Sequence, residues 1–423
     1  MNAKELPEHP NLDHYKKIAK DLLKAYKSGD PASLKRMEDF AGSSLSQGEL
    51  REAADRQLRR RSGARAHRAG FTLADAQFLI ARFHAFDSWP KFKTHIEALA
   101  AGRSDVSAFE MAADAVVTGD IAALRTLLLE NPELIRARST RAHRSTLLHY
   151  TSANGVEDFR QKTPGNAVKV TRFLLEAGAE VDAENNPGRG TTLGLVATSL
   201  HPAKAGVQIE LIETLLASGA SVDGQAGGWS PLTAALANGR GEAAEFLAAR
   251  GARLDLEGAA GVGRLDVVGS FFNDGGGLHA NATREQMEAG FMWACEYGRT
   301  AVVEFLLAKG FDAATARRCT GLHWAALSGH VSIVNILLTR KPPVNSKDES
   351  FGGTPLDWAL YGWNDPPPTA RQGNHCEVVR LLVAAGARAE RSFREDSGPG
   401  SSLYGKAQAH PRMRAALAGE TGG

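Results

Sequence analysis

The sequence predicts an all-α protein in which helix-turn-helix units are repeated along the chain. The clearest unit is residues 320–338, where a short apolar helix, a glycine-containing turn and a second helix rich in Val and Leu follow one another. Its opening recurs at residues 230–235 and 354–360, and its ending recurs at 174–179 and 378–387. One copy is a weak signal, but a recurring unit is typical of a repeat solenoid.

The repeated unit resembles the ankyrin repeat. Residues 320–330 read TGLHWAALSGH, which is close to the ankyrin consensus TPLHxAAxxGH that precedes a second, apolar helix. The resemblance covers roughly residues 107–390. It implies a curved solenoid with short β-hairpin fingers between its helix pairs, and it does not name a ligand.

About eight repeats are predicted, in an array over residues 105–390. Counted from the Leu of the consensus or its substitute, successive units are separated by 45, 39, 24, 35, 31 and 34 residues, against a family period of about 33. The long intervals hold insertions near 157–166 and 200–206, and a third insertion lies at 363–374. Such insertions are either part of a binding face or neutral loop drift. The short interval predicts that a finger is missing near residues 251–256.

Residues 1–104 are predicted to form a helical leader that caps the first repeat, since the ends of a solenoid need a polar outer face. The segment resembles the leaders that precede ankyrin arrays in many bacterial proteins. Residues 391–423 lose the periodicity and are predicted to be a C-terminal cap, helical over 403–417, and a disordered tail. The leader helices are expected near 11–28, 32–40, 46–60, 73–83 and 91–100.

The composition indicates a folded protein with no general affinity for polyanions. Hydrophobic residues make up 43% of the 423 residues, and the formal net charge is +2 at pH 7. The three cysteines include no Cys-x-x-Cys pair, so neither a disulfide framework nor a zinc site is predicted, and reduced thiols in the cytoplasm are expected. The N-terminus lacks the apolar core of a secretory signal, and no apolar run reaches the ~18 residues of a membrane helix.

The densest basic cluster contains Arg56, residues 59–61, Arg65 and Arg68. We interpret it as a solvated helix end and loop, because neither interleaved aromatic residues nor a known nucleic-acid module accompany it. The alternative is a contact with nucleic acid or with an acidic partner. A steep salt dependence of binding would indicate nucleic acid.

The sequence contains no catalytic motif that we recognise: HExxH, P-loop, GxGxxG, GxSxG and metal-spaced Cys/His sets are all absent. His149 and His323 occupy the histidine position of the repeat, where the resemblance implies a structural role between backbone groups. His375 and Cys376 are adjacent, but a nucleophilic pair also needs a cleft and an orienting partner. No cofactor and no metal are therefore predicted.

Trp293, Trp324 and Trp358 occupy equivalent positions in three successive repeats. Because packed helices lie about 8–10 Å apart, the indoles are expected to form a ladder at that spacing. They either fill the space between repeats or form an anchoring strip, and for Trp358 the nearby Tyr361 and Trp363 keep the second interpretation open.

The two positions after Ala-Ala face the concave groove in the ankyrin family, so the resemblance implies a partner-binding surface there. Its chemistry is polar and amide-rich in the early repeats and aromatic in the late ones. Trp363 is expected to be an exposed anchor, held by the proline-rich insertion beside it. The predicted partner-binding residues are Asn154, Ser199, Asn238, Glu296, Tyr297, Ser328, Trp358, Tyr361 and Trp363.

The predicted function is non-catalytic recognition of a protein or peptide through this groove, by a monomer without a cofactor. The alternative is an enzyme or small-molecule binder that uses the late aromatic groove and the inserted loops, with Glu296 or Asp357 as acid or base. A deep closed pocket that contains Glu296, Tyr297, Trp324 and Trp358 would favour the alternative.

The repeat register also predicts burial. At least one of Leu337 and Leu338 is expected to be fully buried in the second helix of its repeat. Cys295 is expected to be buried, and Cys376, beside the third insertion, to be more exposed.

Overall fold

The structure is a computed structural model that describes residues 4–7, 9–44, 46–62, 70–102, 104–186, 190–225, 229–315, 317–370, 374–388 and 402–420. Its contacts divide the chain into two compact units. Unit 1 is Met1–Gly228 and unit 2 is Trp229–Gly423. The described residues are mostly helical, which confirms the predicted all-α class.

Unit 1 begins with the predicted leader helices, whose ends follow local signals. Gly29 ends the first of them with φ 65°, a left-handed conformation that glycine adopts without strain. Thr72 and Asp75 form a reciprocal capping box at the start of the fourth. The helices pack around Tyr15, Phe92 and other buried side chains. They are α1 Leu12–Ser28, α2 Pro31–Ala41, α3 Gln47–Ser62, α4 Leu73–Phe83 and α5 Trp89–Ala100.

The rest of unit 1 consists of shorter helices, as expected for repeats interrupted by insertions. The insertion predicted at residues 157–166 contains a short 3-10 helix, Asp158–Arg160. The second insertion contains one turn of α-helix near residue 200. The α-helices are α6 Asp105–Thr118, α7 Ile121–Glu130, α8 Leu147–Tyr150, α9 Ala167–Glu176, α10 Thr192–Thr198, α11 Leu200–Lys204 and α12 Gln208–Ala217.

Unit 2 contains the best-matched repeats and shares one apolar core. Leu337 is fully buried there and Leu338 packs against the same core, which confirms the predicted register. Cys295 is also buried, whereas Cys376 is only partly buried, as predicted. The helices are α13 Pro231–Ala237, α14 Gly241–Ala249, α15 Leu256–Val262, α16 Leu265–Gly269, α17 Arg284–Glu296, α18 Thr300–Ala308, α19 Gly321–Leu327, α20 Val331–Thr339, α21 Pro355–Asn364 and α22 His375–Ala384.

The helix pair α15–α16 is compressed. Six residues, 250–255, separate α14 from α15, so the finger predicted to be missing is absent here. A Cβ atom on Gly261 would lie 2.6 Å from Leu236 Cδ1, so a larger residue here would force the Leu236 side chain to move. Side chains from α17 and its turn therefore reach past α15. Tyr297 Oη donates to the Leu236 carbonyl at 2.5 Å, and the Arg299 guanidinium pairs with Glu245.

The fingers carry less β-structure than the resemblance implies. Within the described residues they contain isolated bridges, Glu184–Thr191 and Phe272–Leu278, and no strand. Asp348 instead organises one turn through its carboxylate, which accepts hydrogen bonds from the backbone N–H groups of residues 350, 351 and 353. The side chain thus reinforces a turn that is also closed by a backbone hydrogen bond, from the Asp348 N–H to the Gly353 carbonyl at 2.9 Å.

The C-terminal segment contains α23 Leu403–Ala409 and α24 Pro411–Leu417, with Pro411 at the start of the second helix. Helix α24 packs on α22, and Met413 is fully buried in the core of unit 2. The predicted helical segment with a proline interruption is present. Two parts of this region lie outside the described residues. They are most of the preceding linker, residues 389–401, and the end of the tail, residues 421–423.

Candidate functional site

In unit 1, the two predicted partner-binding residues are tied to the protein itself. Asn154 is half-buried, and its Nδ2 donates to Thr198 Oγ1 at 2.9 Å. Ser199 is buried. The prediction that Ser199 is available to a partner is therefore corrected, because the second insertion continues directly from this residue as α11.

In unit 2, the hydroxyl groups of Tyr297 and Ser328 are also used internally. Tyr297 is buried and its hydroxyl is bonded to the Leu236 carbonyl. Ser328 is buried and shares a hydrogen bond of 2.7 Å with Thr369 Oγ1 of the third insertion. Both residues hold neighbouring segments together, so their predicted role as partner contacts is corrected.

The predicted tryptophan ladder is only partly present. Trp324 and Trp358 meet edge to face with 5.1 Å between ring centroids, closer than the 8–10 Å expected from helix spacing. Trp358 Nε1 donates to Asp348 Oδ2 at 3.0 Å, and its ring also packs against His323. The polar tip of Trp358 therefore stabilises the Asp348 turn, which favours the space-filling interpretation for this residue.

Tyr361 and Trp363 differ although they lie two residues apart on α21. Tyr361 is 52% exposed. Trp363 packs against the core of unit 2 and meets the His410 ring edge to face at 5.3 Å. The prediction that Trp363 is an exposed anchor is wrong, because the C-terminal cap covers it. The proline-rich insertion does not present it to a partner.

The remaining two predicted residues stay accessible. Asn238 caps the end of α13 and is exposed. Glu296 is the last residue of α17 and is half-buried, and the described part of the structure gives its carboxyl group no hydrogen bond or ion pair. Burial raises the pKa of Glu296 to about 8.

Glu296 belongs to a set of equivalent positions that we call the inner-helix row. The row takes one residue from each of five consecutive repeats, namely the residue that follows Ala-Ala or the pair that replaces it. Its members lie at or near the C-terminal ends of α13, α15, α17, α19 and α21. Those helices pack one against the next within unit 2. The two end members are exposed and the three central ones are partly or fully buried. The row consists of Ala237, Gly261, Glu296, Leu327 and Tyr361.

Two further aromatic residues of unit 2 are exposed and were not singled out from the sequence. Trp229 is 79% exposed just before α13, and Phe351 is 78% exposed in the Asp348 turn before α21. Each lies within four residues of the proline that opens a repeat, Pro231 or Pro355. An aromatic residue in a turn segment before a repeat opening is the sequence signal that could have found them.

A buried ionic network is the main polar feature of unit 1, and sequence reasoning missed it. Arg141 and Glu157 are ion-paired and almost completely buried. Arg141 Nη2 also donates to Glu110 Oε2 at 2.9 Å. Arg160 Nη1 donates to the same Glu110 oxygen at 2.7 Å, and its Nε donates to Asp114 at 2.7 Å. Two guanidinium groups and two buried carboxylates thus neutralise one another.

The ionisation of this network is fixed by its pairing. Burial opposes the charged form of Glu110, but Arg141 and Arg160 outweigh it and lower the pKa of that carboxyl. Burial opposes ionisation of Glu157 too, and the nearby His143 ring, 3.4 Å away, together with the two guanidinium groups holds the pKa of Glu157 well below its usual range. The carboxylates therefore stay charged at neutral pH.

The network also joins the leader to the repeats. Arg141 Nη1 donates to the His84 carbonyl at 3.0 Å, and the backbone N–H of Ala142 donates to the Ala85 carbonyl at 2.7 Å. His95 Nδ1 lies 2.7 Å from Thr140 Oγ1. The first insertion supplies Glu157 and Arg160, so it fills the interior of unit 1. This favours a structural role for that insertion over either neutral drift or a binding face.

The candidate catalytic groups have structural partners. His149 Nδ1 and His323 Nδ1 each accept a hydrogen bond from the backbone N–H at the start of its repeat, Thr146 or Thr320. Asp357 Oδ2 accepts from both the N–H and the hydroxyl of Thr354, which caps α21. Asp357 is buried in that role, so the alternative that uses it as an acid or base loses one of its two candidates.

Three further findings concern other classes of site. No set of three or more His, Cys, Asp or Glu side chains in the described segments is arranged to hold a metal ion. Among the described helices, none combines the length and apolarity needed to cross a bilayer. Most of the basic cluster lies outside the residues whose side chains are described, and within the described part Arg56 pairs with Glu52.

Comparison with known families identifies the repeats. The family described as ankyrin repeats (3 copies) matches residues 291–393, and that described as ankyrin repeats (many copies) matches residues 208–248. Both matched ranges contain pairs of helices that the structure describes. The chain therefore contains ankyrin repeats within these residues, and such repeats generally mediate protein–protein interaction.

Individual relatives share only part of their length with this chain. E3 ubiquitin-protein ligase Ufd4 of Drosophila melanogaster is 32% identical over 113 residues, which are 27% of this chain and 4% of the relative. Palmitoyltransferase AKR1 of Lachancea kluyveri is 33% identical over 76 residues, 16% of this chain and 10% of the relative. The crystal structure of the human ASB11 ankyrin repeat domain overlays with a TM-score of 0.33 and 20% identity, over 66% of this chain and 99% of that domain.

Proposed function

We propose that this protein is a non-catalytic scaffold that recognises a protein partner through the inner-helix row of unit 2 and the exposed residues beside it. The observation that carries the proposal is the contrast between buried polar groups of the repeats in unit 2 and exposed residues in or beside the row. Catalytic-type groups such as His323 and Asp357 are buried and bonded within the fold, whereas the Tyr361 ring is 52% exposed. Asn238 is exposed as well, although its Nδ2 donates to the Ala234 carbonyl at 2.8 Å. Aromatic residues with a polar tip are typical of interface hot spots.

The alternative, an enzyme or small-molecule binder, finds less support. A deep closed pocket that contains Glu296, Tyr297, Trp324 and Trp358 would favour it. The Tyr297 hydroxyl donates a hydrogen bond to a backbone carbonyl, and the Trp358 N–H donates one to Asp348. Neither donor is therefore available to a bound small molecule.

We further propose that the chain acts as a monomer in the cytoplasm. The three cysteines are free thiols, which fits a reducing compartment. Light scattering at several protein concentrations tests the oligomeric state, and a constant mass of one chain is expected. A mass that rises with concentration would contradict the monomer.

The test of the scaffold function uses affinity capture with matched variants. Wild-type protein, Tyr361→Ala, Asn238→Ala and Glu304→Ala serve as bait in extracts of the source cells. Glu304 is exposed on the second-row helix α18 and is the control. We expect a protein whose recovery falls about tenfold or more with the first two variants and is unchanged with the control, because a central anchor contributes ~2 kcal/mol. Equal recovery by all four baits would contradict the proposal.

A further inference from the structure

We propose that Glu296 determines the partner of this surface by pairing with a lysine or arginine side chain of an extended peptide segment. The inference rests on the proposed function and adds to it the chemistry of the partner. It is carried by a carboxyl group that the fold withdraws from water without giving it a counter-charge.

The cations near Glu296 are engaged elsewhere. Arg299 Nε donates to the Gly261 carbonyl at 3.0 Å, and its guanidinium pairs with Glu245. His330 Nε2 lies 2.9 Å from the backbone carbonyl of Glu296, so its bond is to the main chain of this residue and leaves the carboxyl group unbonded. Burial alone raises the pKa of Glu296, with no opposing effect from a neighbouring cation. Among the residues that the structure describes, no counter-charge therefore compensates this carboxyl group.

An external cation would supply the missing partner. A partly buried carboxylate is costly when unpaired, and pairing with an ammonium or guanidinium group removes most of that cost. The next member of the row is Leu327, which is half-buried and apolar. The methylene stem of a lysine or arginine can lie on such a surface while its charged end reaches the carboxylate.

The spacing of the row sets the form of the segment. Glu296 and Tyr361 lie two helices apart, on α17 and α21, which corresponds to about 16–20 Å at ordinary helix spacing. An extended chain covers this span with about five or six residues. We therefore expect a basic residue opposite Glu296 and an apolar or aromatic residue about five or six positions away, opposite Tyr361.

Binding of the cation is coupled to loss of a proton from Glu296. The carboxyl group is mostly neutral at pH 7 in the free protein, since its pKa is about 8, and must ionise to pair. Affinity should therefore rise as the pH increases from 6 to 9. The side chain of an arginine peptide stays charged over this pH range. A change of affinity with pH therefore reflects ionisation of the protein and not of the peptide.

The other titratable groups near α17 do not explain such a change. Burial lowers the pKa of His323 and of His330 below the ordinary histidine value, which favours the neutral form of both rings. Burial raises the pKa of Cys319 to about 12, above the range. Burial also raises the pKa of Glu257, but that residue lies in the first turn of α15 whereas Glu296 ends α17.

The experiment is selection of displayed random peptides of about twelve residues on the full-length protein. Wild type, Glu296→Gln, Glu296→Lys, Tyr361→Ala and the control Glu304→Gln are compared, after thermal melting has shown that each is folded. We expect wild type and the control to select peptides with a fixed Lys or Arg and an apolar residue about five or six positions away. A selected arginine peptide should bind Glu296→Gln at least tenfold more weakly and without the pH dependence, and Glu296→Lys should select an acidic residue instead.

The outcomes separate this inference from the proposed function. Selected peptides that depend on Tyr361 but carry no fixed basic residue, or that bind Glu296→Gln as well as wild type, would overturn the inference and leave the scaffold function standing. Peptide binding that is unaffected by every row variant, or the absence of any selected peptide, would contradict both.

Discussion

Glu157 in unit 1 and Glu296 in unit 2 are both withdrawn from water, but the protein treats them in opposite ways. Glu157 is surrounded by Arg141, Arg160 and His143, and its pKa is held far below its usual range. Glu296 forms no ion pair with any residue in the described part of the chain, and burial raises its pKa to about 8. A paired carboxylate is part of the interior, whereas an unpaired one is available for a ligand. The predictions below test that difference.

The largest effect is expected for Glu157→Ala. The change leaves Arg141 and Arg160 buried with one carboxylate fewer between them, and removal of one partner from a buried ion network costs about 3–5 kcal/mol. Urea unfolding of the full chain, followed by a probe in unit 1, measures it. Asp158→Ala is the matched control, because Asp158 is the next residue and is exposed. A similar loss of unfolding free energy for both variants would show that the ionic network does not hold the insertion in place.

Acid should reproduce part of this loss. The folded-state pKa of Glu157 is below its unfolded value, so its contribution is complete above the unfolded pKa of about 4.3 and disappears as the pH falls through the folded value. The stability of wild type should therefore decline below pH 4.5 more steeply than that of Glu157→Ala. Parallel curves would contradict the assigned ionisation.

A smaller effect of the opposite sign is expected for Glu296→Gln. The folded-state pKa of Glu296, about 8, is above the ordinary value of 4.5, so its contribution is complete below pH 4.5 and is lost as the pH rises towards 8. The glutamine variant lacks this loss, and its stability relative to wild type should increase between pH 5 and 8, by an amount on the order of 1–3 kcal/mol. Thermal melting at a series of pH values measures it, and a constant difference between the two proteins would refute the raised pKa.

The pair Trp363→Ala and Tyr361→Ala tests which side chains of unit 2 are interior and which are free. Trp363 packs under the C-terminal cap, so its removal should destabilise unit 2 by about 2–4 kcal/mol through lost apolar burial. Tyr361 is 52% exposed, and its removal should change stability by no more than ~0.5 kcal/mol. Equal destabilisation by the two variants would mean that Tyr361 is not available to a partner.

The smallest effect concerns thiol reactivity without any mutation. Burial raises the pKa of all three thiols, and Cys295 and Cys319 are buried whereas Cys376 is partly exposed. Labelling of the native protein with a maleimide, read by mass spectrometry, should modify Cys376 first. Modification of Cys295 ahead of Cys376 would contradict the described core of unit 2.

Much of the fold follows from local sequence signals. The predicted span 73–83 coincides with α4, because Thr72 and Asp75 form a capping box within four residues. The burial of Leu337 and Cys295 followed from the repeat register, which fixes which side of each helix faces its neighbour. The compressed pair α15–α16 was visible as a short interval between repeat openings.

The polar contacts between distant segments could not be predicted in this way. Glu110, Arg141 and Glu157 come from three segments that no periodic pattern connects, and they meet only in the folded unit. Trp363 was misjudged for a similar reason, since it is covered by a helix that follows a stretch without periodicity. Glu296 was predicted as a contact from its repeat position alone, and its lack of a counter-charge became visible only with its neighbours in place.

The compressed pair α15–α16 also bears on how unit 2 unfolds. In a repeat array each unit ordinarily touches only its immediate neighbours, so segments can open one after another from an end. Tyr297 bonds to Leu236, 61 residues earlier, and Arg299 reaches Glu245, so the helix pairs on either side of α15–α16 are linked directly. These three helix pairs should therefore open together as one cooperative block, and hydrogen exchange along α13–α18 should show a single protection level where a simple array would show a gradient.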